Sequence, residues 1–464
     1  MAQERKTEAA QVNIRKLALD LLLRIMEEGV FCDKALHAVF EKQLLEKRDR
    51  SFLMRLVEGT VERCIELDYI IDQFSKVKTV KMKPVIRNIL RLSVYQIFYM
   101  EQVPDSAACN EAVKLTVKRK MQNLKGFVNG VLRNIVREKE NISYPDKKEI
   151  VQYLSVRYSM PVWIVKDFLK EYGEEETEQI LAAFLQEKEG VSIRCMTSRF
   201  AVDEVRASLE KDGAVFSDGK LLSYSLQLKG YSSLKELTAF QKGMFQVQDE
   251  SSMLVGQIAG IKKGDTVIDV CAAPGGKTLH AADILGESGR VISADLTKEK
   301  TALIRENCER LAVKNVEVYE QDASVSREDW FAKADVLIAD LPCSGLGVIG
   351  KKCDIKYKTK PEDITSLAGI QREILQVAAD YVKEGGRLIF STCTIAKEEN
   401  LENIRWIEKN LPFSLVSIEE SLPEKLQGQT GKEGYLQVLP SRTGTDGFFI
   451  SCFQKKNSIE ERLL

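Results

Sequence analysis

From residue 262 onward, short apolar runs alternate with helical patterns, and this alternation restricts the fold more than any other feature. Candidate strands fall at 266–270, 290–294, 316–320, 334–339, 387–392 and 447–453. Strands separated by helices imply a parallel sheet with helices on both faces. In such open sheets, ligands bind beyond the carboxyl ends of the strands. Chemistry is therefore to be sought at those ends.

The upstream chain is organised differently. Apolar positions recur at helical spacing in "IRKLALDLLLRI", "DRSFLMRLVEGTVERCIELDYII" and "MKPVIRNILRLSVYQIFYM". Pro84 sits where a first helical turn tolerates it. Residues 1–140 are expected to form an all-α bundle. "NISYPDKKE" breaks the pattern and reads as a linker. Residues 146–235 mix helical pattern with short strand-like runs, a small α/β or α+β unit, and 236–455 form the α/β domain. The expected architecture is thus multidomain.

Composition excludes several classes. The chain has 464 residues, 44% hydrophobic, with formal net charge -1, so any polyanion surface must be local. No apolar run approaches the ~20 residues that span a bilayer. The start "MAQERKTEAAQVN" is charged and lacks a secretory core. A cytoplasmic protein with no membrane association is expected, and nothing demands more than a monomer. Ten cysteines are scattered with no Cys-x-x-Cys pair, so neither a zinc site nor a disulfide framework is expected. Cys32, Cys64, Cys109, Cys195, Cys308 and Cys452 read as small buried hydrophobes. Only His37 and His280 are present, each expected on a helix without chemical duty. Acid–base work falls to carboxylates and thiols. Residues 114–139 carry eight Lys or Arg and one Glu, among them Lys118, Arg119 and Lys120. On pattern alone this is a solvated face; it becomes an RNA contact only if the chemistry downstream acts on RNA.

"TVIDVCAAPGGKT" (266–278) reads as strand, small-residue loop and helix start. The loop residues Cys271, Ala272, Ala273, Pro274, Gly275 and Gly276 allow close ligand approach, and a helix N-terminus offers free N–H groups. Neither the P-loop nor the dinucleotide pattern is present. Asp295 ends the next strand, about twenty residues on, where an acid accepts from ribose hydroxyls. Asp322 ends the third, where it can meet an adenine amine. A lone strand-end Asp usually caps a helix; the ordered set points to a nucleoside ligand without a long phosphate tail, which fits S-adenosylmethionine. Lys277 reads as a contact to that ligand's carboxylate rather than as a solvated first-turn lysine.

Two further turns carry thiols. "LIADLPCSGL" (337–346) brings Asp340 and Cys343, and "RLIFSTCTIA" (387–396) brings Cys393. Each follows a candidate strand. A lone strand-end cysteine is usually structural; two with a carboxylate suggest covalent catalysis. Pattern alone does not rank the thiols. "KKCDIKYKTK" (351–360) follows the first turn with five lysines and Tyr357. A mobile basic loop with an aromatic suits RNA, through Lys351, Lys352 and Lys356, and a solvated loop fits equally.

"DVCAAPGGKT", "DLPCSG" and "STCT", with "FQVQDESSML" and "GTDGFFISCF", together resemble the motifs of RNA cytosine-C5 methyltransferases across roughly 240–455. "RLSVYQIFYMEQVPDSAACNEAVKL" and "KGFVNGVLRN" resemble the NusB-type RNA-binding fold. The combination is similar end to end to the RsmB (Sun/Fmu) family, which methylates a cytosine of small-subunit ribosomal RNA. That resemblance implies a Rossmann-like catalytic domain, S-adenosylmethionine as co-substrate, no metal, and ribosomal RNA as partner. It makes Cys393 the nucleophile toward C6, Cys343 the residue assisting adduct breakdown, and Asp340 both the contact to N3 and a cofactor-binding residue. Many members carry an Arg-Arg-His-Pro-like run before Asp-Ile-Lys; here the run is "GKKCDIKY". The same reaction on transfer RNA is the nearest rival. A non-catalytic RNA-binding or antitermination factor is the rival from another class.

Overall fold

A computed structural model describes residues 12–186, 190–231 and 233–457. The chain divides into two compact units, one of residues 1–185 and 351–358, the other of 186–350 and 359–464.

The first unit is helical. Helices Ile14–Met26, Cys32–Lys42, Lys47–Glu62, Cys64–Phe74, Pro84–Tyr99, Asp105–Lys118 and Lys125–Arg137 share one core. Asn13 caps the first, its side chain accepting from Lys16 N at 2.8 Å, which satisfies an otherwise orphaned amide. Pro84 opens the fifth, as its missing N–H allows. Leu19, Leu22, Leu53, Leu56, Ile70, Ile89 and Leu132 are fully buried. The expected linker is not free. Tyr144 donates to buried Glu66 at 2.8 Å, and Tyr99 donates to its other oxygen at 2.6 Å. Helices Ile150–Arg157 and Val162–Phe184 also belong to this unit.

So does the segment 351–358. The expectation of a mobile RNA-facing loop is corrected. Cys353 lies in the helical core, with Tyr357 packed against it. Lys356 is 1% exposed and donates to Glu62 O at 2.7 Å. Lys358 donates to Val30 O at 2.8 Å and pairs with Asp354 at 2.6 Å. Asp354 accepts from Cys32 N at 2.8 Å, capping a helix whose own preceding residue, Phe31, offers no side-chain acceptor. Lys356 is therefore a structural lysine. Lys351 and Lys352 keep exposed side chains.

The second unit holds two sheets. Strands β1 (Val191–Cys195), β2 (Val215–Asp218), β3 (Ser225–Lys229) and β4 (Phe245–Val247) form an antiparallel sheet in the order β2-β3-β1-β4. Fully buried Arg194 on β1 joins it to the larger domain, pairing with Asp283 at 3.2 Å and donating to Gln248 at 3.0 Å. The larger sheet has eight strands. These are β5 (Thr266–Asp269), β6 (Arg290–Asp295), β7 (Val316–Glu320), β8 (Ala334–Asp340), β9 (Val382–Thr392), β10 (Phe413–Leu415), β11 (Tyr435–Val438) and β12 (Phe448–Lys455). The order is β10-β12-β9-β8-β5-β6-β7, with β11 paired to β12. Strands β5 to β9 are mutually parallel, whereas β12 runs antiparallel to β9, β10 and β11. The sheet is mixed rather than wholly parallel, because the chain after the helix Leu401–Asn410 returns at one edge. The central strands are apolar on both faces, as parallel strands covered on both sides must be.

Candidate active site

Strands β7, β6, β5, β8 and β9 are neighbours in that order, so their carboxyl ends line one edge. All of the sequence-predicted catalytic and cofactor residues follow or end these strands.

The loop after β5 turns into the helix Gly276–Leu285 through Gly275, whose φ of +103° is accessible only to glycine at low cost. Asp295, at the end of β6, accepts from Ala273 N at 2.9 Å and Leu296 N at 2.8 Å, tying the loop to the strand tip. Lys300 pairs with it at 2.9 Å. Asp322 is exposed and accepts from Ser324 N and Oγ, which lower its pKa. Asp269, fully buried at the end of β5, accepts from Thr278 Oγ1 at 2.7 Å, and its Oδ1 has no hydrogen-bond partner among the described residues. A glycine turn into a helix and buried carboxylates at one strand edge suit a nucleoside sulfonium.

Lys277 is neither solvated nor free. Its Nζ meets Asp340 Oδ2 at 2.6 Å and Ser252 Oγ at 2.9 Å, above the Phe448 ring. Ser391 donates to the other Asp340 oxygen at 2.8 Å. Asp340 and Ser391 are register partners on β8 and β9, so the turns that follow emerge side by side. Cys343 Sγ and Cys393 Sγ lie 3.1 Å apart. Both residues are partly exposed. The hydrogen bond to Cys393 and burial raise the Cys343 pKa well above the usual thiol range. The turns are laced further by Gly347 N donating to Cys393 O at 3.1 Å and Gly447 N to Gly347 O at 2.9 Å. A Cβ on Gly347 would lie 2.1 Å from Gly447 O, so only glycine fits there.

Sequence reasoning missed the carboxylate behind the thiols. Glu399 is fully buried and accepts from Ser344 N at 2.9 Å and Ser344 Oγ at 2.5 Å. The signal was present: an acid six residues after Cys393, in "STCTIAKEEN". The expected structural cysteines are all buried, and His280 is buried and held neutral by desolvation. Among the described residues, no group of His, Cys, Asp or Glu is arranged to hold a metal, and no helix is long and apolar enough to cross a membrane. Lys118 and Lys120 are exposed, and Arg119 pairs with Asp20.

Residues 257–454 match the family model described as 16S rRNA methyltransferase RsmB/F, and residues 12–137 match the NusB family. The probable ribosomal RNA small subunit methyltransferase B of Bacillus subtilis is 38% identical over 451 residues, covering 96% of this chain and 99% of that protein. The Synechocystis relative of the same description is 32% identical over 450 residues, covering 96% and 100%. The crystal structure of PH0851 superposes with a TM-score of 0.79 at 27% identity, covering 96% of this chain and 99% of that one. NSun6 from Pyrococcus horikoshii, solved with SFG, shares the fold at 23% identity and a TM-score of 0.56, covering 64% and 99%.

Proposed function

The chain belongs to the ribosomal RNA small subunit methyltransferase B family of S-adenosylmethionine-dependent enzymes, and from that premise we propose that it methylates C5 of a cytosine through a Cys393–C6 adduct. The 3.1 Å approach of two thiols beside Asp340 carries this reading. Cytosine C5 is a poor nucleophile. Addition of the Cys393 thiolate to C6 makes the ring an enamine whose C5 is electron-rich. Protonation or hydrogen bonding at N3, with the Asp340 carboxyl as the partner, draws charge into the ring. Lys277 and Ser391 hold that carboxyl in place beforehand. The loop Cys271–Gly276 with Asp295 and Asp322 would hold S-adenosylmethionine, which when bound supplies an electrophilic methyl group. Transfer of the C5 proton to a base, with the C6–S electron pair leaving on sulfur, then restores the ring. Cys343, whose sulfur lies 3.1 Å from that of Cys393, is placed to assist departure of the Cys393 sulfur. Two thiols suit a reaction that must both make and break a carbon–sulfur bond. The target base must be unstacked to reach the strand edge, a task suited to the basic face around Lys118 and Lys120.

The test incubates the protein with small-subunit ribosomal RNA and labelled methyl donor. Label should appear as 5-methylcytosine. Cys393→Ala should abolish both methylation and covalent RNA adducts, whereas Cys343→Ala should accumulate an adduct visible on a denaturing gel. An adduct trapped by Cys393→Ala would invert the thiol roles, and label on transfer RNA alone would overturn the substrate.

A further inference from the structure

We propose that Glu399 is a positioning residue, a carboxylate clamp that holds the two thiol-bearing turns in register. The inference rests on the reading of Cys343 and Cys393 as the working thiols. Glu399 lies in the short helical turn Lys397–Glu399, six residues after Cys393, and is fully buried. On one side it grips Ser344, the residue after Cys343, by backbone and hydroxyl. That hydroxyl meets Thr394 Oγ1 at 2.8 Å, and Thr394 is the residue after Cys393. Gln371 Nε2 donates to Glu399 Oε1 at 3.0 Å and to Pro342 O at 2.9 Å, so the residues on both sides of Cys343 are held. Asn400, next in the chain, treats the other turn the same way, accepting from Thr392 Oγ1 at 2.6 Å and donating to Thr394 O at 3.0 Å.

The chemistry of this arrangement is unusual for a purely structural group. The hydrogen-bond partners of Glu399 are neutral, and burial raises its pKa against the opposing effect of Ser344, Gln371 and Thr394. Burying a carboxylate without a cation is costly, and apolar packing fills such space more cheaply. What a carboxylate supplies instead is several acceptor sites within one small group. Two turns from different strands need a shared set of acceptors to fix the separation of their sulfurs. A misplacement of about 1 Å at such a site can cost about 100-fold in rate. Glu399 grips Ser344 directly and reaches Thr394 through the Ser344 hydroxyl, so it positions the thiols through these neighbours, while its charge also helps to raise the Cys343 pKa.

The test reads geometry and turnover separately. Diamide oxidises two adjacent thiols to a disulfide, taking up two protons and two electrons as it becomes the hydrazine. The Cys343–Cys393 cross-link, mapped by peptide mass, reports sulfur proximity without RNA or methyl donor. Glu399→Ala should slow that cross-link and lower kcat by about 100-fold, with KM for RNA and affinity for S-adenosylmethionine unchanged. Glu399→Gln, which keeps an acceptor toward Ser344 N, should recover part of both. If Glu399→Ala does not fold, the double variant Ser344→Ala/Thr394→Val removes the hydroxyl bridge and takes its place. Wild-type cross-linking and kcat in the variant that folds would overturn the clamp. Wild-type protein that cross-links but makes no 5-methylcytosine would overturn the methylation reading and leave the clamp supported by the diamide series.

Discussion

At the scale of single residues, Asp269 makes a titration prediction. It ends β5 fully buried, with one oxygen bonded to Thr278 and the other unpartnered among the described residues. Burial pushes its carboxyl up to about 7, and the nearby Asp340 and Asp295 charges add to the rise. The unfolded chain titrates near 3.9. The folded state therefore binds the proton more tightly, and stability falls as the carboxyl ionises. The contribution is fully present below about pH 4 and is lost as pH rises through about 7. Asp269→Asn removes this dependence. Calorimetry at pH 5, 6, 7 and 8 should show the variant gaining on wild type by about 2–4 °C in Tm per kcal/mol as pH rises. Parallel Tm curves would refute the assignment.

At the scale of elements, two basic segments that look alike in sequence behave differently. Lys356 is buried, and desolvation lowers its pKa to about 8. Lys356→Ala removes its bond to Glu62 O and leaves a hole, and should cost about 1–3 kcal/mol of stability by thermal unfolding. Lys118→Ala and Lys120→Ala lie on an exposed face and should leave Tm nearly unchanged. They should weaken RNA binding instead, each lowering the slope of log K against log salt by about 1 if it contacts a phosphate. Unchanged affinity in both would remove this face from the RNA path. The contrast also marks what sequence can reveal. The turns at Cys271–Gly276, Cys343 and Cys393 were legible because each follows a short apolar strand, a local pattern. The burial of Lys356 was not, because its acceptor lies 294 residues away and five lysines in ten residues look solvated. The antiparallel direction of β12 was hidden for a related reason: an apolar run carries no record of which way it pairs. Glu399 stood next to a recognised motif, yet its partners, Ser344 and Gln371, come from elsewhere in the chain.

At the scale of the molecule, the helical unit is discontinuous. The chain leaves it after Leu185, re-enters for residues 351–358, and leaves again. Those eight residues complete the unit rather than decorate it. Cys353 sits in the core, Asp354 caps the helix Cys32–Lys42, and Lys356 and Lys358 satisfy the carbonyls of Glu62 and Val30. A fragment ending at Leu185 thus lacks part of its own core and a helix cap, though it contains the whole NusB-matched region. An unfilled core site and a lost cap each cost about 1 kcal/mol or more. The fragment 12–185 should therefore melt below the corresponding transition of the full chain. A synthetic peptide of residues 350–359 should raise its Tm in a saturable way, because a ligand of the folded state stabilises by mass action. A peptide carrying Asp354→Ala and Lys356→Ala should raise it less. A fragment that melts with the full chain and ignores the peptide would mean that 351–358 rests on a bundle already complete without it. If the peptide effect is found, the segment eight residues beyond Cys343 has a fixed seat only when the helical unit is folded. Loss of activity on deleting that unit could then not be read as loss of RNA binding alone.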